Sequence, residues 1–179
     1  MNITEHLPLL EHILSERRTL LGTQYEPYKN HCYRMINFCL AFHPCEGEQL
    51  EKIIIAAAFH DIGIWPDDVV DYLPPSIALA QAYLKEHNQT EWLDEISEMI
   101  DLHHKFRAVK NSRFPLVEVM RKGDWTDVSF GLRRFGLDKS FYRAVCQRFP
   151  NLGFHKNLTR LTKEQFKRSP LNPLPMMKW

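Results

Sequence analysis

The sequence predicts an all-α, single-domain helical bundle, and three observations carry that reading. Apolar residues recur at helical spacing, and no stretch shows strand-like alternation bounded by turn residues. With 44% hydrophobic and 25% charged residues, the 179-residue chain has the composition of a globular protein large enough for one sizeable core. Nothing repeats and no segment is of low complexity, so residues 1–179 read as one domain.

In the first segment Leu7, Leu10, Ile13, Leu14, Leu20 and Leu21 trace one helical face. Pro8 is tolerable there only in the first turn, and Gly22 ends the run. A second helix is expected over about Glu26 to Phe42, stopping before Pro44. A third, about Glu48 to His60, is apolar nearly all round, which marks a helix at the centre of a bundle. The following IGIWPDDVVDYLPPS, with three prolines and several aspartates, reads as an irregular loop. Further helices are expected over Ser76–His87, Thr90–His104, Pro115–Val128, Lys139–Phe149 and Lys156–Lys167. The two prolines of LNPLPMMKW stop any helix, so the tail of residues 169–179 is either loose or an apolar strap on the body.

Net charge is +1, but unevenly spread. Residues 1–132 carry 12 basic and 20 acidic groups, whereas 133–168 carry 10 and 2. No aromatic-interleaved pattern or nucleic-acid motif accompanies the basic part, so its cations are expected to face water or the acidic body rather than nucleic acid. Cys32, Cys39, Cys45 and Cys146 form no CxxC pair and read as reduced core residues. The longest central apolar run, Ile53 to Phe59, is far too short for a membrane span, and the N-terminus shows no signal-peptide core. The default expectation is therefore a cytoplasmic protein.

Four groups carry the chemistry: His31, His60-Asp61, His103-His104 and Asp124. An HD dipeptide alone is weak, since nine His and nine Asp in this length produce one by chance in roughly every second such chain. Context gives it weight. His31 shares a helical face with Tyr28, Met35 and Phe38, and His60-Asp61 ends the most apolar helix. His103 continues the face of Ile96, Met99 and Ile100, and Asp124 that of Val117 and Met120. Ionised carboxylates on apolar faces are costly unless something neutralises them, and a divalent cation shared with histidines does so. Asp127, one turn beyond Asp124, is the competing choice for the final carboxylate.

The order and spacing of these residues resemble the H…HD…D signature of the HD-domain superfamily of metal-dependent phosphohydrolases, over about residues 28–128. In VMRKGDWTD, a small residue then Asp after an apolar run looks like the family's final aspartate and favours Asp124. The resemblance implies an HD-type bundle in which His31, His60, Asp61 and Asp124 bind a divalent ion (Mn, Fe, Co, Ni, Zn or Mg) that activates water for attack on a phosphate ester. His103 or His104 stands where histidine-rich members hold a second ion, and such members include a di-iron oxygenase. The pattern also departs from known branches. Ile64 replaces the lysine usual in cyclic-dinucleotide phosphodiesterases and the acidic residue of the nucleotidase branch. No GYP follows His103-His104, and HDxxED is missing.

The expected function is hydrolysis of a small phosphorylated metabolite, a nucleotide before others; the alternative is a catalytically weak, metal-containing module that binds a nucleotide or protein. Asp67, Asp68 and His103 are the candidates for proton transfer. Arg34, one turn after His31, is placed either to grip a phosphoryl group or to pair with a carboxylate, with Lys105 and Arg107 weaker candidates for the grip.

Overall fold

The computed structural model describes residues 2–65, 71–172 and 174–178, and among these every regular element is helical. In chain order they are α1 (Pro8–Glu16), α2 (Arg18–Leu21), α3 (Tyr25–Phe42), α4 (Gly47–Phe59), α5 (Leu73–Glu86), α6 (Leu93–Leu102), α7 (Pro115–Val128), α8 (Lys139–Arg148) and α9 (Phe154–Arg168). Short 3₁₀ turns cover Gly22–Gln24, Ile62–Ile64 and Thr90–Trp92.

Helix α4 lies at the centre, as its composition requires: every side chain from Ile53 to Phe59 is buried. Helices α3 and α7 form the most intimate pair. The Cys39 thiol reaches the Val119 carbonyl, Gly123 sits under Met35, and Asp127 meets Arg34 and His31. These contacts run in opposite order along the two helices, so they are antiparallel. Gly123 makes the approach possible, because a Cβ there would overlap Cys39 Sγ and lie 3.0 Å from the Met35 carbonyl oxygen. Gly63 has the same function after α4. A Cβ at that position would stand 2.5 Å from the Tyr72 carbonyl oxygen and 2.9 Å from the Ser76 hydroxyl, whereas the Gly63 amide donates to that hydroxyl at 2.9 Å.

Four boundaries differ from the sequence expectation, the first being a break at Arg17 that splits the segment expected to run to Gly22 into α1 and α2 and leaves Leu20 exposed. The stretch ending at Ser76 is not loop throughout: α5 starts at Leu73, with Pro74 and Pro75 in its first turn, where a missing N–H costs no helical hydrogen bond. The helix expected over Thr90–His104 is split into a 3₁₀ turn and α6. Helix α9 begins at Phe154 rather than Lys156, because Gly153 takes the left-handed conformation (φ 91°) that turns the chain into it. Segment 66–70, with Asp67 and Asp68, lies outside the described residues.

The C-terminal part is docked on the bundle. Phe154 is buried and stacks on His31, with ring centroids 4.2 Å apart. The tail is a strap: Met176 packs on the cluster of Ile64, Tyr72, Leu73 and Leu161, the Lys178 carbonyl accepts from the Phe106 amide, and Lys178 Nζ pairs with Asp101. Among the described residues no helix is long and apolar enough to cross a membrane.

Candidate metal centre

Four helices bring their polar residues to one point. His31 comes from the middle of α3, His60 and Asp61 from the end of α4, His103 and His104 from the end of α6, and Asp124 from α7. All six side chains are buried. His31 Nε2 lies 3.0 Å from His60 Nε2, 4.0 Å from Asp61 Oδ2 and 3.7 Å from Asp124 Oδ1. His60 Nε2 is 3.4 Å from Asp61 Oδ2 and 3.9 Å from Asp124 Oδ1. The other oxygen of each carboxylate faces the second histidine pair: Asp61 Oδ1 is 3.5 Å from His103 Nε2, and Asp124 Oδ2 is 3.2 Å from His104 Nδ1. Each carboxylate thus divides its oxygens between two pairs of imidazoles. In two overlapping sets, His31–His60–Asp61 and Asp61–His103–His104, one donor atom per residue lies within 4.8 Å of the others.

The outer nitrogens of the rings decide which atoms face inward. His60 Nδ1–H donates to the Ala57 carbonyl at 2.8 Å and His103 Nδ1–H to the Ile100 carbonyl at 2.6 Å. A carbonyl only accepts, so both rings carry their proton on Nδ1 and turn Nε2 into the cluster. His31 Nδ1–H donates to Asp127 Oδ2 at 2.6 Å. Arg34 in turn grips Asp127 with Nε and Nη2, at 2.6 and 2.7 Å, and donates from Nη1 to the Phe149 carbonyl. His104 Nε2 is 2.6 Å from the Tyr72 hydroxyl. Each inward ring is therefore fixed from behind, as metal-ligating histidines are.

Among the described residues, Asp61 Oδ1, His103 Nε2 and both Asp124 oxygens are buried without a hydrogen-bond partner. Such atoms are expensive to bury, and two Nε2 atoms 3.0 Å apart need a cation or proton between them. The charges of the protein groups show the same demand. Burial opposes the imidazolium of His60, but Asp61 and then Asp124 outweigh it and raise its pKa to about 9. Burial and the neighbouring His104 push His103 down to about 4. Burial would raise Asp61, yet His60 and His103 hold it well below the usual carboxylate range; burial likewise opposes the charge of Asp124, and His104 lowers its pKa. Four nitrogens and two carboxylates, with orphaned atoms turned inward, fit one or two divalent cations of the hard-to-borderline kind.

His31, His60, Asp61 and Asp124, the four residues expected as ligands, are brought together here. Asp124 faces the cluster, whereas Asp127 stands behind His31 and pairs with Arg34. His103, expected as a proton-transfer group or at a second ion, turns Nε2 into the cluster beside Asp61. Arg34 is not free to grip a phosphate: its guanidinium is buried and taken by Asp127 and Phe149. Asp67 and Asp68 lie outside the described residues. Arg107 lines a separate surface groove with Arg121 and Arg133. Asp127 as the carboxylate behind His31 and Tyr72 as the partner of His104 went unassigned in the sequence, because both pairings join residues far apart in the chain. A cavity of about 110 Å³ adjoins the cluster at Tyr72 and His104. No known family, no curated protein and no solved structure matches this chain, so the His/Asp cluster in an all-helical fold is the basis on which its function is read.

Proposed function

We propose that the chain is a metal-dependent phosphohydrolase with an HD-type bundle, acting on a small phosphorylated compound. One observation carries this reading: His31, His60-Asp61, His103-His104 and Asp124, in that chain order, converge in one buried cluster in which Asp61 Oδ1 and both Asp124 oxygens lack a hydrogen-bond donor. A divalent cation held there supplies a water of lowered pKa and a positive charge for phosphoryl oxygens. The remaining requirements fall to the chain itself. Arg34 fixes Asp127, and Asp127 fixes the tautomer and orientation of His31, so Arg34 is a positioning residue here rather than a phosphate ligand. Tyr72 holds His104 where the cluster meets the cavity. Phe154, buried and stacked on His31, excludes water from that face of the ring.

The test is elemental analysis of protein purified without chelator, followed by assay of the metal-loaded chain on phosphomonoesters and phosphodiesters. Wild type is expected to hydrolyse at least one class and Asp124→Ala none. A chain that loads metal and binds phosphorylated compounds but cleaves none is instead the metal-containing binding module.

A further inference from the structure

The cluster is enclosed by α3, α4, α6 and α7, and His104 is the most exposed of its six residues, at 8%. That residue borders the 110 Å³ cavity. Tyr72 and His104 form the cavity's inner end; Ile64, Val128, Leu158, Leu161 and Met176 form its walls. The other polar wall atom is the hydroxyl of Thr162. No lysine, arginine or carboxylate lines it among the described residues.

The basic residues of the C-terminal region do not alter this. Lys156, Arg160, Lys163 and Lys167 recur on one face of α9 and line an open surface groove, while Phe154, Leu158 and Leu161 on another face turn inward. Helix α9 therefore presents its charge to the outside and hydrocarbon to the cavity. A second phosphate or a ribose placed in the cavity would lose its hydration with one or two hydroxyls and an imidazole to replace it, which is strongly unfavourable. A hydrocarbon group meets no such penalty; a dry apolar cavity of roughly 150 Å³ holds benzene, so this smaller one of about 110 Å³ suits a group of at most that size.

We propose that this cavity is the subsite for the organic part of the substrate, and that the substrate is a phosphate ester of a small apolar alcohol, roughly four to six carbons, rather than a nucleotide. Leu158, Leu161 and Met176 set its size. The inference rests on reading the cluster as a phosphoryl-binding metal centre, and it names the chemical class that centre serves.

Phosphonates separate the two claims because they bind as phosphates do and resist hydrolysis. Calorimetric titration of the manganese-loaded full chain would compare methyl-, n-butyl- and phenylphosphonate with inorganic phosphate and adenosine monophosphate. Each buried methylene is worth roughly a fourfold gain in affinity, so butyl- and phenylphosphonate are expected to bind at least about tenfold tighter than methylphosphonate and tighter than adenosine monophosphate. Leu161→Trp, which fills the cavity, should cut the phenyl-to-methyl ratio to below about threefold. Thr162→Phe, at a half-buried position, does the same should the tryptophan variant fail to fold. Equal affinities for methyl- and phenylphosphonate, or tightest binding of adenosine monophosphate, would overturn the proposal while leaving the metal centre's phosphoryl reading intact. Absence of binding by every phosphonate and by phosphate overturns both. An apolar preference without hydrolysis of butyl or phenyl phosphate supports the subsite and sinks the hydrolase.

Discussion

At the scale of single residues, direction decides chemistry. Asp124 and Asp127 are one helical turn apart on α7 and both buried, yet only Asp124 turns oxygens that accept no hydrogen bond toward the histidines. Asp127 is satisfied by Arg34 and His31, and the charge of Arg34 overcomes burial to keep it ionised. The two carboxylates should therefore fail differently. His60→Ala, Asp61→Ala and Asp124→Ala are expected to lose bound metal, read by elemental analysis after purification without chelator; wild-type metal content in these variants would remove the site. Arg34→Ala should retain the ligands but leave Asp127, the carboxylate that holds His31, buried without its cation, weakening metal affinity by about tenfold to a hundredfold and stability by about 3–5 kcal/mol. Unchanged metal affinity and denaturation midpoint in Arg34→Ala would show that the Arg34–Asp127–His31 chain does not position the site.

At the scale of elements, the site depends on how closely α3 and α7 can pack. Gly123 is the position that permits it. Gly123→Ala is expected to destabilise by about 1–3 kcal/mol, the usual cost of overpacking a core, and to lower metal affinity by displacing Asp124 from His31. Cys39→Ala in the same chain removes one of the two overlapping partners and should restore part of the loss, the Met35 carbonyl remaining in the way; chemical denaturation of the single and double variants checks both statements. Outside the site, Glu118 clamps the buried Arg121 with two 2.7 Å hydrogen bonds. Burial alone would raise the Glu118 pKa, but Arg121 and the Val109 amide hold it below the ordinary value. A lowered folded-state pKa means that this contribution is present above the usual glutamate range and is lost as pH falls through the folded value. Glu118→Gln should therefore cost stability at neutral pH and flatten the acid limb of the stability profile; parallel acid limbs for variant and wild type would contradict it. These element-level features set the limit of what the sequence discloses. Helical periodicity placed α3, α4 and α7 to within a residue or two, and apolar faces pointed His31, His60 and Asp124 inward. Spacing also put Arg34 one turn from His31, but not the carboxylate of an antiparallel partner 93 positions later against it. Likewise the Pro74-Pro75 pair signals a break only until its place in the first turn of α5 is known, and Tyr72 reaches His104 because of that start.

At the scale of the whole molecule, the His/Asp cluster is the point at which side chains from four helices meet, so a metal ion held there should raise global stability. Hydrophobic packing of α4 against its neighbours holds the bundle without reference to the cluster. The cluster itself is a local liability when only its own groups are present, since two carboxylates and four imidazoles share a buried volume with orphaned acceptors. A cation that binds the folded chain and not the unfolded one adds stability according to its excess over the dissociation constant, about 2.7 kcal/mol at a hundredfold excess. For a chain of this size that corresponds to a shift in Tm of roughly 5–11 °C. Chelation should thus lower Tm by an amount in that range, and added divalent ion should restore it in a concentration-dependent way. Asp61→Ala supplies the control: its Tm should respond to neither treatment, because one carboxylate shared by both histidine pairs is gone. A wild-type melting curve insensitive to chelator and to added Mn, Fe, Co, Ni, Zn or Mg would mean that protons, not a metal, satisfy the inward-facing nitrogens and oxygens. The phosphohydrolase reading would fall with it.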